Sequence, residues 1–296
     1  MVDRIETHRQ AAILRGLLYL ACPDAPSTAI NLTAKAIARR SDDQIPPTRA
    51  VTQARRLTSP RYDNDAPRKL LSAKLDDAGL DLAKLNGADL TGATLIRANL
   101  SHATLIRANL TGATLIRANL SHATLICANL SQTNLSQTNL PHANLMLADL
   151  TGANLSRANL SDASLGHAHL SDADLTGANL ARANLDLAKL NGADLTGATL
   201  MRTNVDGANL TGANLTNAHL RDANLTNADL TNADLRDADL RGTRRLMLRS
   251  GITWSLRTRW PDDRYKREAH ARSDEVSPGW YRLRGDTARD CSRTLL

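Results

Sequence analysis

At 296 residues and 42% apolar content the chain can bury a substantial core, yet it has no Phe and only 2% aromatic residues. Its net charge of +7 conceals a division: residues 1–70 hold 12 Lys and Arg against 7 Asp and Glu, residues 71–240 hold 11 against 16, and residues 241–296 hold 14 against 7. No apolar run reaches the roughly 18 residues a bilayer-spanning helix needs, so no membrane span is expected.

Residues 4–22 read as an amphipathic helix, with Ile13, Leu17, Leu20 and Ala21 at i, i+4, i+7 and i+8. Leu18-Tyr19-Leu20-Ala21 before Cys22 imitates a lipoprotein signal, but Asp3 and Glu6 sit in the would-be basic region and Arg15 interrupts the apolar one. Pro23 and Pro26 break this helix. Ser27 then caps a second one carrying Ile30, Ala34, Ile37 and Ala38, which ends at Ile45-Pro46-Pro47-Thr48. Residues 50–57 suit a third short helix, and the polar, Pro-containing stretch 58–68 suits a linker. Cys22, Cys127 and Cys291 lie too far apart for a metal or redox spacing, and a sparse odd count fits a reducing, cytoplasmic compartment.

From Leu70 to Leu240 every fifth residue is Leu; of 35 such sites only Val205 differs. Two residues earlier stands Ala, except at Thr133, Thr138 and Thr203. Five residues rotate an α-helix about 140° past a full turn, which spreads the Leu around the helix. In a flat strand an odd period alternates faces. All Leu can share one interior only if the chain turns a corner every five residues. Four such corners close a coil of about twenty residues, and coils stack as parallel strands. Residues 91–110 recur at 111–130 with one change, Arg107 to Cys127, which supports twenty as the coil length. The stretch 81–95 recurs at 186–200, an offset of 105, so duplication also worked in fives.

Ala88-Asp89-Leu90, Ala98-Asn99-Leu100 and Ala228-Asp229-Leu230 carry the A-(D/N)-L-x-x motif, and the chain resembles the bacterial pentapeptide-repeat proteins. The resemblance implies an all-β fold: a right-handed quadrilateral parallel β-helix over residues 70–240, about 8.5 coils of 20 residues and about 40 Å long. Residues 1–69 are expected to form a helical N-terminal cap and linker, because an open β-helix end exposes strand edges and Leu. After Leu240 the rhythm fails at Arg245, and Trp254, Trp260 and Trp280 appear. Thr258-Arg259-Trp260-Pro261 and Ser277-Pro278-Gly279-Trp280-Tyr281 resemble a tail that follows bacterial pentapeptide arrays. Residues 241–296 are therefore expected to be a basic C-terminal cap, with nucleic-acid binding by its cations and aromatics a second reading.

Residues twenty apart should stack in surface columns. Ile96 and Ile116 form one on one face, and Ile106, Ile126 and Met146 one on the opposite face. These are the candidate protein contacts, since apolar columns mark partner surfaces more often than scattered residues do. Asp174, Asp194 and Asp234 make an acidic column. Relatives that protect topoisomerases resemble duplex DNA, so this column would serve a DNA mimic bound to gyrase. The repeat departs from that pattern in its low charge density, its Arg columns, its lack of Phe and its uninterrupted coils. His102, His122 and His142, followed by Asp162, suggest a metal set, but His102 and His142 would lie nearly 10 Å apart, too far for one ion. No metal, cofactor or small-molecule substrate is assigned. Abundant Ser and Thr lack a placed His–carboxylate partner, and Gly87, Gly92 and Gly112 sit in repeated corners, so no catalytic residue is assigned either. The reading is a non-enzymatic scaffold that binds protein partners or itself, with gyrase mimicry the alternative.

Overall fold

The structure is a computed structural model that describes residues 70–285; the expected N-terminal helices, their linker, and residues 286–296 lie outside the described residues. Each pentapeptide begins with a turn. The Ala N–H donates to the carbonyl of the Leu three residues before it, as from Ala73 to Leu70 at 3.0 Å and from Ala153 to Leu150 at 3.0 Å. The second residue after each Leu takes a left-handed backbone: φ is 57° at His102, 58° at Arg107 and 64° at Gly112. A positive φ in third place defines a type II turn. Gly, Asp, Asn and His tolerate that backbone best, and no Val, Ile or Thr occupies the position anywhere in the array. Ile appears only one residue earlier, at Ile96, Ile106, Ile116 and Ile126, where Pro141 also stands. That place asks for a negative φ and accepts both.

Between turns the backbone bonds to coils on both sides. Leu150 N–H donates forward to His169 C=O at 2.7 Å, and Asp149 N–H donates back to Ala128 C=O at 2.9 Å. Parallel pairing at a twenty-residue offset therefore runs in four ladders, starting at Lys74–Thr94, Gly79–Asn99, Lys84–Thr104 and Asp89–Asn109. The inward Leu stack into one continuous core with Ala beside them, nearly all without exposed surface. Where Thr replaces Ala its hydroxyl finds a carbonyl: Thr133 donates to Leu110 at 2.7 Å and Thr203 to Leu180 at 2.7 Å. That bond removes the cost of a buried unpaired hydroxyl. The outward Asn or Asp usually accepts the N–H two residues on, as Asn154 does from Ser156 at 2.9 Å, which fastens the next turn.

The coil rhythm lapses at Arg245 and then resumes. Thr253 pairs with Asp234 and Arg259 with Asp239, so the ladder extends past Leu240. Trp260 takes the place of a core Leu, and Thr258 that of Ala, its hydroxyl on Leu235 C=O at 2.9 Å. The resumed segment also starts a small module. β1 (Thr253–Ser255) leads to α1 (Asp263–Ala271), then β2 (Ser273–Ser277) and β3 (Trp280–Leu283), in an antiparallel sheet ordered β1-β3-β2. Asp262 caps α1 by accepting the Tyr265 N–H at 3.0 Å. Inside the module Trp254 stacks on Tyr281 at 4.5 Å and meets Trp260 edge-on at 5.5 Å. Both buried indoles join the same apolar core as the Leu stack.

Candidate interaction surfaces

The Ile columns form as the twenty-residue register requires, but they are sunk into the corners. Ile96, Ile106, Ile116 and Met146 are half-buried. Ile126, between Ile106 and Met146 in its column, is 0% exposed although it is not part of the Leu core. The large apolar side chains that stand clear are others: Leu82, Leu187 and Met201 along the coils, and Leu256, Val276 and Trp280 on the C-terminal module. Leu187 lies over the bare corner at Gly207, where an added Cβ would sit 2.6 Å from it. Glycine twenty residues away was the signal for such draping, and column-by-column comparison could have found it.

The acidic column also forms, with its carboxylates turned towards their own backbone. Asp174 accepts the Thr176 N–H at 2.9 Å, and Asp194 accepts the Thr196 N–H at 2.9 Å together with its hydroxyl. Asp234 accepts the Arg236 N–H at 3.0 Å and forms a forked ion pair with the Arg236 guanidinium. Burial raises the cost of charge on Asp234, but the Arg236 bonds and charge outweigh it and hold the carboxyl below its ordinary range. Asp186, half-buried with fewer such bonds, is pushed up by desolvation.

His102, His122 and His142 stack along one exposed corner, with ring centroids 4.8 and 4.9 Å apart and planes tilted by 1° and 14°. These distances are the strand spacing of the coil. Nitrogen lone pairs lie in the ring plane, so near-parallel rings at this spacing aim their nitrogens side by side and cannot converge on one ion. Asp162, next in the column, is engaged by Arg182 through a forked pair at 2.7–2.8 Å, which lowers its pKa. Among the described residues no group of three or more His, Cys, Asp or Glu could hold a metal ion. Beside this corner runs a ladder of Asn99, Asn119, Asn139, Asn159 and Asn179, each amide donating to the one below at 3.2–3.3 Å. Among the described residues no helix is long and apolar enough to cross a membrane.

Three clefts open where the coils meet the C-terminal module, one of them, of about 330 Å³, lined by Asn217, His219, Asp237, Asp239, Arg257 and Arg259. A second, of about 520 Å³, is lined by Asn232, Asp234, Arg236, Val276, Trp280 and Arg282. Arg236 lies 4.1 Å over the Trp280 ring. The third, of about 590 Å³, holds Arg241, Arg257, Arg259 and Lys266 with Asp262 and Asp263 at its edge.

Compared with known proteins, the chain matches the family of pentapeptide repeats in 8 copies, over residues 73–112, 83–121, 93–132, 103–140, 128–166, 168–207 and 206–242. Among solved structures it is similar to HetL, a pentapeptide repeat protein involved in heterocyst differentiation regulation from the cyanobacterium Nostoc sp. strain PCC 7120. The identity is 39%, over 60% of this chain and 84% of HetL, with a TM-score of 0.33. It is also similar to QnrB1, a plasmid-mediated fluoroquinolone resistance protein, at 17% identity over 64% of this chain and 92% of that one, with a TM-score of 0.41. No curated protein matches.

Proposed function

Since the chain belongs to the pentapeptide-repeat family and takes its right-handed β-helix, we propose that it works as a non-enzymatic scaffold that binds protein partners through flat faces of stacked side chains. The observation that supports this is the coil register: outward residues repeat on a lattice near 4.8 Å, which presents a partner with rows of like groups on a rigid core. Ile96 and Ile116 on one face, and Ile106 with Met146 on the opposite face, are the proposed contacts. Ile126, in the second row, is fully buried.

The test is a pair of substitutions, Ile106→Asp and Ile116→Asp. Asp186 and Asp206 already stand in the column of Ile106, and Asp76 in that of Ile116, so the coil accepts a carboxylate there. Self-association by sedimentation and captured partners are compared with the unmodified chain, with far-UV circular dichroism as the folding control. A loss of at least tenfold in an association supports the Ile contacts; associations intact in both variants refute them. Gyrase mimicry by Asp174, Asp194 and Asp234 is the second reading. It is weakened by carboxylates that fasten turns and, at Asp234, are already neutralised by Arg236.

A further inference from the structure

The C-terminal module carries charge and an aromatic surface that the scaffold reading leaves unused. Residues 241–285 hold 12 Lys and Arg against 5 Asp and Glu. Among the described residues, Arg241, Arg259, Arg272 and Arg284 have an ion-pair partner within 4.0 Å. The other eight cations, Arg257, Lys266 and Arg282 among them, have no such partner among the described residues. Acidic residues outnumber basic ones in the coils, 16 to 11, so this excess of positive charge belongs to the C-terminal end. Unpaired positive charge gathered at one end of a rod draws polyanions to that end.

The aromatic surface sits in the middle of this charge. Trp254 and Trp260 are buried, whereas Trp280 is 47% exposed. On β3, Trp280 and Arg282 face out while Leu283 faces in. One face of the Trp280 indole is backed by Arg236, and Arg236 is held in turn by the Asp234 fork, so the platform is fixed. Leu256 N–H bonds to Gly279 C=O at 3.2 Å. That bond ties the Leu256–Arg257 corner to the β2–β3 turn and joins the Trp280 cleft to the one lined by Arg257, Arg259 and Lys266.

We propose that this end of the protein binds single-stranded nucleic acid. A base stacks on the Trp280–Arg236 platform, while neighbouring phosphates meet Arg282 on one side and Arg257, Arg259 and Lys266 on the other. A charged surface alone would take any polyanion, and an exposed indole alone would suit a peptide. A braced indole between unpaired guanidinium groups fits a chain that alternates base and phosphate. A duplex keeps its bases within its own stack and offers none to Trp280.

The test is titration of a fluorescein-labelled short oligothymidylate with the full chain at low salt, followed by anisotropy. A saturable rise is expected, weakening as salt rises with a log–log slope of about −0.7 per phosphate engaged. Trp280→Ala should weaken binding about tenfold, within the range for loss of one stacked base, and Trp280→Phe should restore most of it. Arg257→Glu, at an exposed corner, should weaken binding and flatten the salt slope without touching the sheet. Three results would each overturn the proposal: no saturable binding at low salt, equal affinity for polyglutamate, or equal affinity for a duplex of the same length.

Discussion

A valine placed at Gly112 tests the physical basis of the coil. Gly112 is the second corner residue of its turn, with φ at +64°, and an added Cβ would meet nothing within 4 Å. Substitution there costs backbone conformation and no clash. For alanine the left-handed backbone costs about 1–2 kcal/mol, and the reduced freedom of the unfolded chain returns about 0.4–1 kcal/mol. The net destabilisation of Gly112→Ala is thus about 0.8 kcal/mol. Valine, β-branched and poorly suited to positive φ, should cost about 2 kcal/mol. The control is Ser121→Val, one place earlier in its turn, where the chain itself uses Ile at Ile116; it should stay within about 0.5 kcal/mol. Urea unfolding followed by far-UV circular dichroism measures all three, with midpoints compared at a common slope. The reasoning is refuted if Gly112→Val costs no more than Ser121→Val.

Other substitutions probe the core, the C-terminal module and the ion pairs. Leu150→Ala empties a site with no exposed surface between neighbouring coils and should lower stability by about 3 kcal/mol in the same urea assay. Thr258→Val removes the hydroxyl that donates to Leu235 C=O and accepts from Ser255 N–H. The Ser255 N–H loses its partner while Leu235 C=O keeps the Ala238 N–H at 3.1 Å, so about 1–2 kcal/mol should go, read as earlier exposure of Trp254 and Trp260 by emission. Acid should loosen the late coils first. Asp229 is held below its ordinary pKa by Thr231, and Asp239 by Arg241. A depressed carboxylate contributes fully above its unfolded pKa, near 4, and loses that contribution as pH falls through its lower folded pKa. Hydrogen exchange below about pH 4 should therefore rise around Asp229–Asp239 before it rises around Leu120–Leu160, and the reverse order would contradict this.

The repeat was legible because one requirement, every Leu inside, leaves a period of five with only one geometry. Leu150 and Ala153 follow from that alone. The left-handed corner was also written in the chain, as the absence of Val, Ile and Thr two places after each Leu, although a pattern of absences is harder to see than one of presences. Side-chain lean was not legible. Register places Ile126 in an outward column, yet it is fully buried, which spacing alone does not foretell. Nor could column counting show that Asp234 is neutralised, because its partner Arg236 belongs to the next corner of the same coil. The C-terminal segment lay beyond reach for a different reason. Past Arg245 the five-residue rhythm lapses before it resumes at Thr258 and Trp260, and that Trp254 is core while Trp280 is surface is set by antiparallel register and not by spacing.

The most direct measurement of the scaffold account is titration of the purified protein into a DNA gyrase supercoiling assay. A scaffold whose Asp174, Asp194 and Asp234 carboxylates serve their own turns should leave supercoiling unchanged up to high concentration. Inhibition at low micromolar protein, abolished when all three are replaced by Asn, would contradict the account and make DNA mimicry the function.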